Sequence, residues 1–178
     1  AAYSEGCIYL HQMKYLVGND NFYKGYKRYY NTWKMKHPEP NDLLRIMEKV
    51  SGLQLHWYQR YWIGTTKRID YAIDSVQDNG NKTQITLRRI GEFPMPMDVL
   101  VTYKDGTQEL FYSSMNELLG NKPAEDTKAR TVLPAWKWVN PTYSFVITRP
   151  RSDIRKIEID PSLRMADIDR KNNVWSAD

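Results

Sequence analysis

The sequence predicts an α+β chain, an N-terminal α-helical segment of about four helices followed by an antiparallel β-sandwich of about seven strands. Three observations carry that prediction. Up to about residue 66, apolar residues recur at spacings of three and four; from Ile69 they alternate with a period of two; and turn signals then return every ~8–12 residues. The change of period divides the chain into two expected domains, 1–66 and 67–178.

In the first helix, Tyr3, Cys7, Leu10, Met13 and Val17 form one stripe, and Gly18 follows as a residue able to take positive φ. Asp20 is placed to cap a second helix with Phe22, Tyr26, Tyr29, Tyr30 and Trp33 inward. His37-Pro38-Glu39-Pro40 stops it, because proline lacks an N–H and restricts its predecessor. A third helix starts at Asn41 or Asp42, turns Leu43, Leu44, Met47 and Val50 inward, and ends near Ser51-Gly52. A short fourth carries Leu55, Tyr58 and Trp62 to Gly64. In the second half, Ile69, Tyr71 and Ile73 alternate into Asp78-Asn79-Gly80-Asn81, a tight hairpin signal, with Ile85 and Leu87 on the return strand. Val99 and Val101 lead to a second hairpin at Lys104-Asp105-Gly106, followed by Leu110 and Tyr112. Later strands centre on 129–133, 143–148 and 154–159, and 116–127 reads as a loop.

The 178 residues carry a formal charge of +5, and all of it lies in the first part: residues 1–70 hold 11 Lys+Arg against 6 Asp+Glu, residues 71–178 hold 15 of each. The same 70 residues contain 13 aromatics. Basic, aromatic-rich segments can bind nucleic acid by neutralising phosphates and stacking on bases. That would require Lys14, Lys24, Lys27, Lys34 and Lys36 to share a face. Helical periodicity instead assigns the aromatics to inward stripes and the lysines to a solvated face, so no nucleic-acid partner is expected. No apolar run reaches the ~18–20 residues of a membrane span. A single cysteine excludes an intrachain disulfide. The chain begins without Met and without a signal-peptide pattern, and so reads as a processed product or an excised piece.

The chemistry-bearing motifs are sparse. The sequence contains no HExxH, GxxxxGK[ST], GxSxG or GxGxxG. His56 has no second ligand at helical spacing and reads as a surface or capping histidine; Cys7 on an apolar stripe reads as a small core residue. Trp136 and Trp138 would share one side of a strand, as a sugar-stacking platform or as sandwich core. The acidic run from Asp160 to Asp169 lacks the glycine and glutamate of a calcium loop.

One ordered set of segments is more specific. Tyr3-Ser4-Glu5-Gly6 opens a helix; Leu16-Val17-Gly18-Asn19-Asp20-Asn21-Phe22 follows with Gly25; then come Met47-Glu48-Lys49-Val50-Ser51-Gly52 and the stretch 57–64. This order resembles the end of the catalytic domain of the aminopeptidase N-type gluzincins, a zinc aminopeptidase family that includes leukotriene hydrolase. The following sandwich resembles the domain that succeeds it there. Ile157-Glu158-Ile159-Asp160-Pro161 and Asp167-Ile168-Asp169-Arg170-Lys171-Asn172-Asn173 look like that domain's ending in bacterial members.

The resemblance implies that 1–66 is the helical end of such a catalytic domain and that the parent removes N-terminal residues from peptides with zinc-activated water. In that family a tyrosine before a helix, in a Tyr-x-Lys-Gly setting, donates its O–H to the oxyanion; Tyr3 matches it, with Glu5 in place of the common lysine and Gly6 retained. The family's zinc ligands, in an HExxH pattern with a downstream glutamate, have no counterpart in these residues, so this chain alone is expected to bind no zinc and to be inactive. An excised helical piece can also self-associate through exposed apolar surface. A periplasmic or cell-surface bacterial parent is the expected setting. The competing expectation is a non-catalytic protein- or carbohydrate-binding module, which an exposed Trp136/Trp138 pair would favour.

Overall fold

A computed structural model describes residues 2–124 and 129–177. The elements follow the order α1 (Ala2–Val17), α2 (Asn19–Trp33), α3 (Pro40–Ser51), α4 (His56–Gly64), β1 (Tyr71–Asn79), β2 (Lys82–Arg89), β3 (Met97–Tyr103), β4 (Gln108–Met115), β5 (Arg130–Trp136), β6 (Thr142–Ile147), β7 (Ile154–Ile159) and β8 (Val174–Ser176). The chain divides into two compact units, Ala1–Thr66 with Asn116–Thr127, and Lys67–Met115 with Lys128–Asp178. The α+β class, helices first and sheets after, is the one the sequence predicts.

In the helical unit the caps differ in detail from the sequence expectation. Gly18, at φ +80°, both ends α1 through its N–H to Lys14 O and stands as N-cap of α2; Asp20 lies in the first turn and makes no cap bond. Pro40, expected as a stop, is the first residue of α3, where its missing N–H costs nothing. Glu39 and Asp42 form a reciprocal capping box there, with Glu39 N–H donating to Asp42 Oδ2 at 2.8 Å. Gly52 closes α3 in the left-handed region.

The core of this unit gathers Met13, Tyr15, Leu16 and Val17 of α1, Leu44, Ile46 and Met47 of α3, and Leu53, Leu55 and Tyr58. Of the segment 116–127, expected as a loop, residues 116–124 are drawn into it and 125–127 lie outside the described residues. A single 3-10 turn (Asn116–Leu118) buries Leu118, whose carbonyl accepts Gln54 N–H at 3.0 Å, and Lys122 lies buried with its Nζ 3.8 Å from the Tyr15 ring centroid. Two expectations fail. Cys7 is exposed, because only the C-terminal half of α1 is packed. The aromatic stripe of α2 is not a core: Gly25 is the buried residue of this helix, while of the stripe Tyr26 and Tyr30 are exposed and Phe22, Tyr29 and Trp33 half-buried; Tyr23, outside the stripe, is exposed as well. A Cβ on Gly25 would come within 2.6 Å of Met47 Sδ, so the two helices meet closely at that point and the flanking rings remain outside it.

The second unit is a sandwich of a three-stranded sheet, β1-β2-β6, and a five-stranded sheet, β5-β4-β3-β7-β8. The sheets are antiparallel except for β4 and β5, which pair in parallel; β8 is a short strand additional to the expected seven. β3, central in the larger sheet, is buried along almost its whole length, whereas β2 alternates, with Thr83, Ile85 and Leu87 inward. The two sheets meet at Phe111 and Phe145, whose ring centroids are 5.2 Å apart. The β1–β2 turn consists of Gly80-Asn81, with Gly80 first at φ +64°, the position a type II′ turn reserves for glycine.

The β3–β4 turn is held by charge. Arg149 Nη2 donates to Asp105 Oδ2 at 2.6 Å, and the Thr107 N–H and hydroxyl both donate to Asp105 Oδ1. The Arg149 bond, then the two from Thr107, hold the Asp105 carboxyl well below its usual range. A depressed folded-state pKa stabilises above the unfolded value of 3.8 and is lost as pH falls through the depressed one. Asp105→Asn will therefore flatten the acid dependence of stability below about pH 4, most visibly at low salt because the pair is exposed. Denaturant titrations at two acid pH values check this; an unchanged difference between them refutes it.

Candidate functional site

Tyr3, the residue singled out for catalysis, lies in the first turn of α1 and is 95% exposed. Its neighbours Glu5 and Cys7 and, at 43% exposure, Ile8 are also on the surface, so the N-terminal half of α1 presents a phenol, a carboxylate and a thiol to solvent. The helix is fixed from its middle. Tyr9 stacks on Tyr58 at 5.0 Å, Trp62 closes on both rings, and Tyr58 O–H donates to Tyr9 O at 2.6 Å. Burial pushes the Tyr9 phenol up to about 12, and burial followed by the Tyr9 neighbour raises Tyr58 well above its ordinary value. These two phenols stay protonated and anchor the α1 helix that carries Tyr3.

The residues that could hold a metal are dispersed. His11, His37 and His56 are all exposed. His56 sits at the start of α4 with its Nε2 3.7 Å from Glu48 Oε2, and Glu48 Oε1 accepts the Leu55 N–H at 2.7 Å, so this carboxylate secures the turn into α4. Among the described residues no three His, Cys, Asp or Glu side chains group so as to hold a metal ion. The donor set of a zinc peptidase does not fit the residues described. Nor, among the described residues, is any helix long and apolar enough to cross a membrane.

Trp136 and Trp138 do not form a platform. Trp136 is 7% exposed, stacked on Tyr143 at 5.4 Å and edge-on to Tyr71 at 5.5 Å, with its Nε1–H donating to Asn140 O. Trp138 lies past the end of β5 beneath the Arg89 guanidinium, 3.5 Å from the ring centroid, and its carbonyl accepts from Arg89 Nη1. One indole is core and the other is covered.

The C-terminal acidic run is a clasp on β1. Asp167 accepts Tyr71 N–H at 2.9 Å and the Asn173 side-chain amide at 3.1 Å on one oxygen, and Asp169 N–H on the other. Asn172 donates to Asp70, and Asn173 to Tyr71 O, each at 2.9 Å. Asp160 likewise accepts Met165 N–H and the Ser162 hydroxyl. Burial raises the Asp167 carboxyl despite these bonds, so its contribution to stability has the opposite sign to that of Asp105 and falls as pH rises. The spacing of these residues serves a buried hydrogen-bond network, which explains why a sequence search for metal-loop patterns found them suggestive but incomplete.

The chain is 26% identical over 161 residues to the mitochondrial aminopeptidase 2 of Saccharomyces cerevisiae, covering 90% of this chain and 14% of that protein. It is 28% identical over 88 residues to the alanine/arginine aminopeptidase of the same yeast, covering 49% of this chain and 10% of that one. The likeness is to aminopeptidases. No family model matches the chain. The chain spans about a seventh of the length of the relative it matches more fully.

Proposed function

We propose that this chain is the C-terminal portion of a zinc-dependent aminopeptidase of the gluzincin type, a bacterial member, joining the helical end of the catalytic domain (1–66) to a β-sandwich (67–178). The observation that carries the reading is the match to a yeast aminopeptidase along 90% of the chain, through helices and sandwich alike. Within the parent, Tyr3 is the catalytic residue of this chain. Its exposed phenol on a well-anchored helix suits donation of a hydrogen bond to an oxyanion, an interaction that strengthens as charge develops. Peptides are the substrates, and the sandwich is a spacer. Zinc belongs to residues outside these 178, since the sequence contains no HExxH.

The chain alone will release no amine from aminoacyl-nitroanilides, with or without added zinc. Measurable turnover abolished by chelation would sink this account. In the parent, Tyr3→Phe will lower kcat by about 10²–10³-fold with little change in KM, the signature of a donor acting mainly in the transition state. A parent gene lacking HExxH upstream of Tyr3 would remove the family assignment altogether.

A further inference from the structure

The outer face of α2 carries aromatic and cationic side chains in alternation. Tyr23, Lys27, Tyr30 and Lys34 follow one another at intervals of four, three and four residues. At 3.6 residues per turn they fall within a ~60° arc and extend over ~16 Å of helix. All four are exposed, the two tyrosines at 61% and 64%. Lys24, Arg28 and Lys36 are exposed on or beside the same helix, with Asp20 the acidic residue at its start.

The Tyr23 ring is supported by its neighbours. Phe22 meets Tyr23 edge-on at 5.6 Å and stacks on Tyr26 at 5.7 Å. Lys14, from α1, donates to Tyr23 Oη at 3.1 Å and lies 4.8 Å from its ring centroid. Lys36 stands 5.9 Å from the Trp33 centroid. Cations are thus already seated at the edge of the aromatic row, and the exposed ring faces stand between further cations.

We infer that the α2 face is a binding surface for a single-stranded nucleic acid, with Tyr23 and Tyr30 stacking on bases and Lys27 and Lys34 neutralising the phosphates between them. Charge complementarity sets the partner's sign: Lys27 and Lys34 stand within the arc beside the rings, Lys24 and Arg28 lie round the helix from it and Lys36 past its end, and Asp20 is the one acidic residue between 20 and 36, a balance that favours a polyanion. The rings decide its kind, because stacking requires unpaired base faces and tolerates any sequence. The side chains offer phosphate and base contacts and no reading of the sugar, so DNA and RNA strands should bind alike.

The test is fluorescence anisotropy of the full chain with labelled oligo(dT) and oligo(U) of about 20 nucleotides, from ~50 mM salt upward. Saturable binding of both strands is expected. Tyr23→Ala and Tyr30→Ala should each weaken it about tenfold or more at unchanged salt slope, while Tyr23→Phe and Tyr30→Phe retain it. Lys27→Gln with Lys34→Gln should reduce the log–log salt slope by about 1.4. These positions are exposed, and an unchanged circular dichroism spectrum will confirm that each variant folds. Absence of binding at the lowest salt overturns the inference, as does binding indifferent to the ring variants. Competition by polyglutamate as effective as that by oligo(dT) also overturns it, marking the face as a dock for an acidic protein. None of these outcomes bears on the aminopeptidase reading.

Discussion

Gly91→Val will cost the sandwich unit about 3–5 kcal/mol, a large share of the ~5–15 kcal/mol that holds an ordinary domain folded. A Cβ at Gly91 would sit 2.2 Å from Arg68 O and 2.7 Å from Asp70 N, both backbone atoms with no rotamer to change. Relief requires the two strands of chain to part. That would break the bonds from Ile90 and Gly91 N–H to Asp70 O and from Phe93 N–H to Arg68 O, each worth about 1 kcal/mol. The effect is one of space alone, since Gly91 has no positive φ. Gly80 supplies the contrast: its φ is +64° with nothing within 4 Å of an added Cβ, so Gly80→Ala should cost only the ~1–3 kcal/mol of a positive-φ backbone conformation. Urea titration of the two variants separates the causes. A Gly91→Val midpoint near that of the parent chain would show that the backbone approach is not tight.

Trp136→Ala will cost about 3–5 kcal/mol, the usual loss for a buried indole. The indole fills the space between Tyr71 and Tyr143 and satisfies Asn140 O, so its removal leaves both a cavity and an unpaired carbonyl. Trp136→Phe restores part of the packing and should recover more than half of the loss. At Trp138, where the ring serves mainly as a seat for Arg89, alanine should cost about 1 kcal/mol. The inequality between two tryptophans two residues apart is the point of the measurement. Equal and small losses at both sites would place Trp136 on the surface and reopen the sugar-platform reading.

The sequence made the fold class legible because period is a local property. Three-and-four spacing required helices up to Gly64, alternation required strands from Tyr71, and glycines at 18, 52, 80 and 106 occupy the positive-φ positions where turns need them. It failed where the outcome depends on a partner not adjacent in sequence. The stripe of α2 is real as geometry, but whether a stripe becomes core depends on what packs against it, and the close approach at Gly25 and Met47 leaves the tyrosines outside. Tyrosine compounds the ambiguity, being at home both inside and at the surface. Likewise the exposure of Cys7 follows from where α1 loses its neighbours, which no stripe reveals.

The candidate catalytic residue rests on likeness to a family, and the structure adds that its helix is anchored at its middle by the Tyr9–Tyr58–Trp62 cluster. What the sequence by itself determined is the succession of helices and strands, the address of the positive charge and the absence of a zinc-binding motif, all of which are written in spacing and composition. Tertiary structure alone decided that 116–124 packs with the helices, that β5 joins β4 in parallel, that one tryptophan of a pair is buried and that Tyr23, Tyr26 and Tyr30 of α2 face solvent. The physical reason is common to all four. Burial is a property of two surfaces, and a sequence pattern describes only one of them.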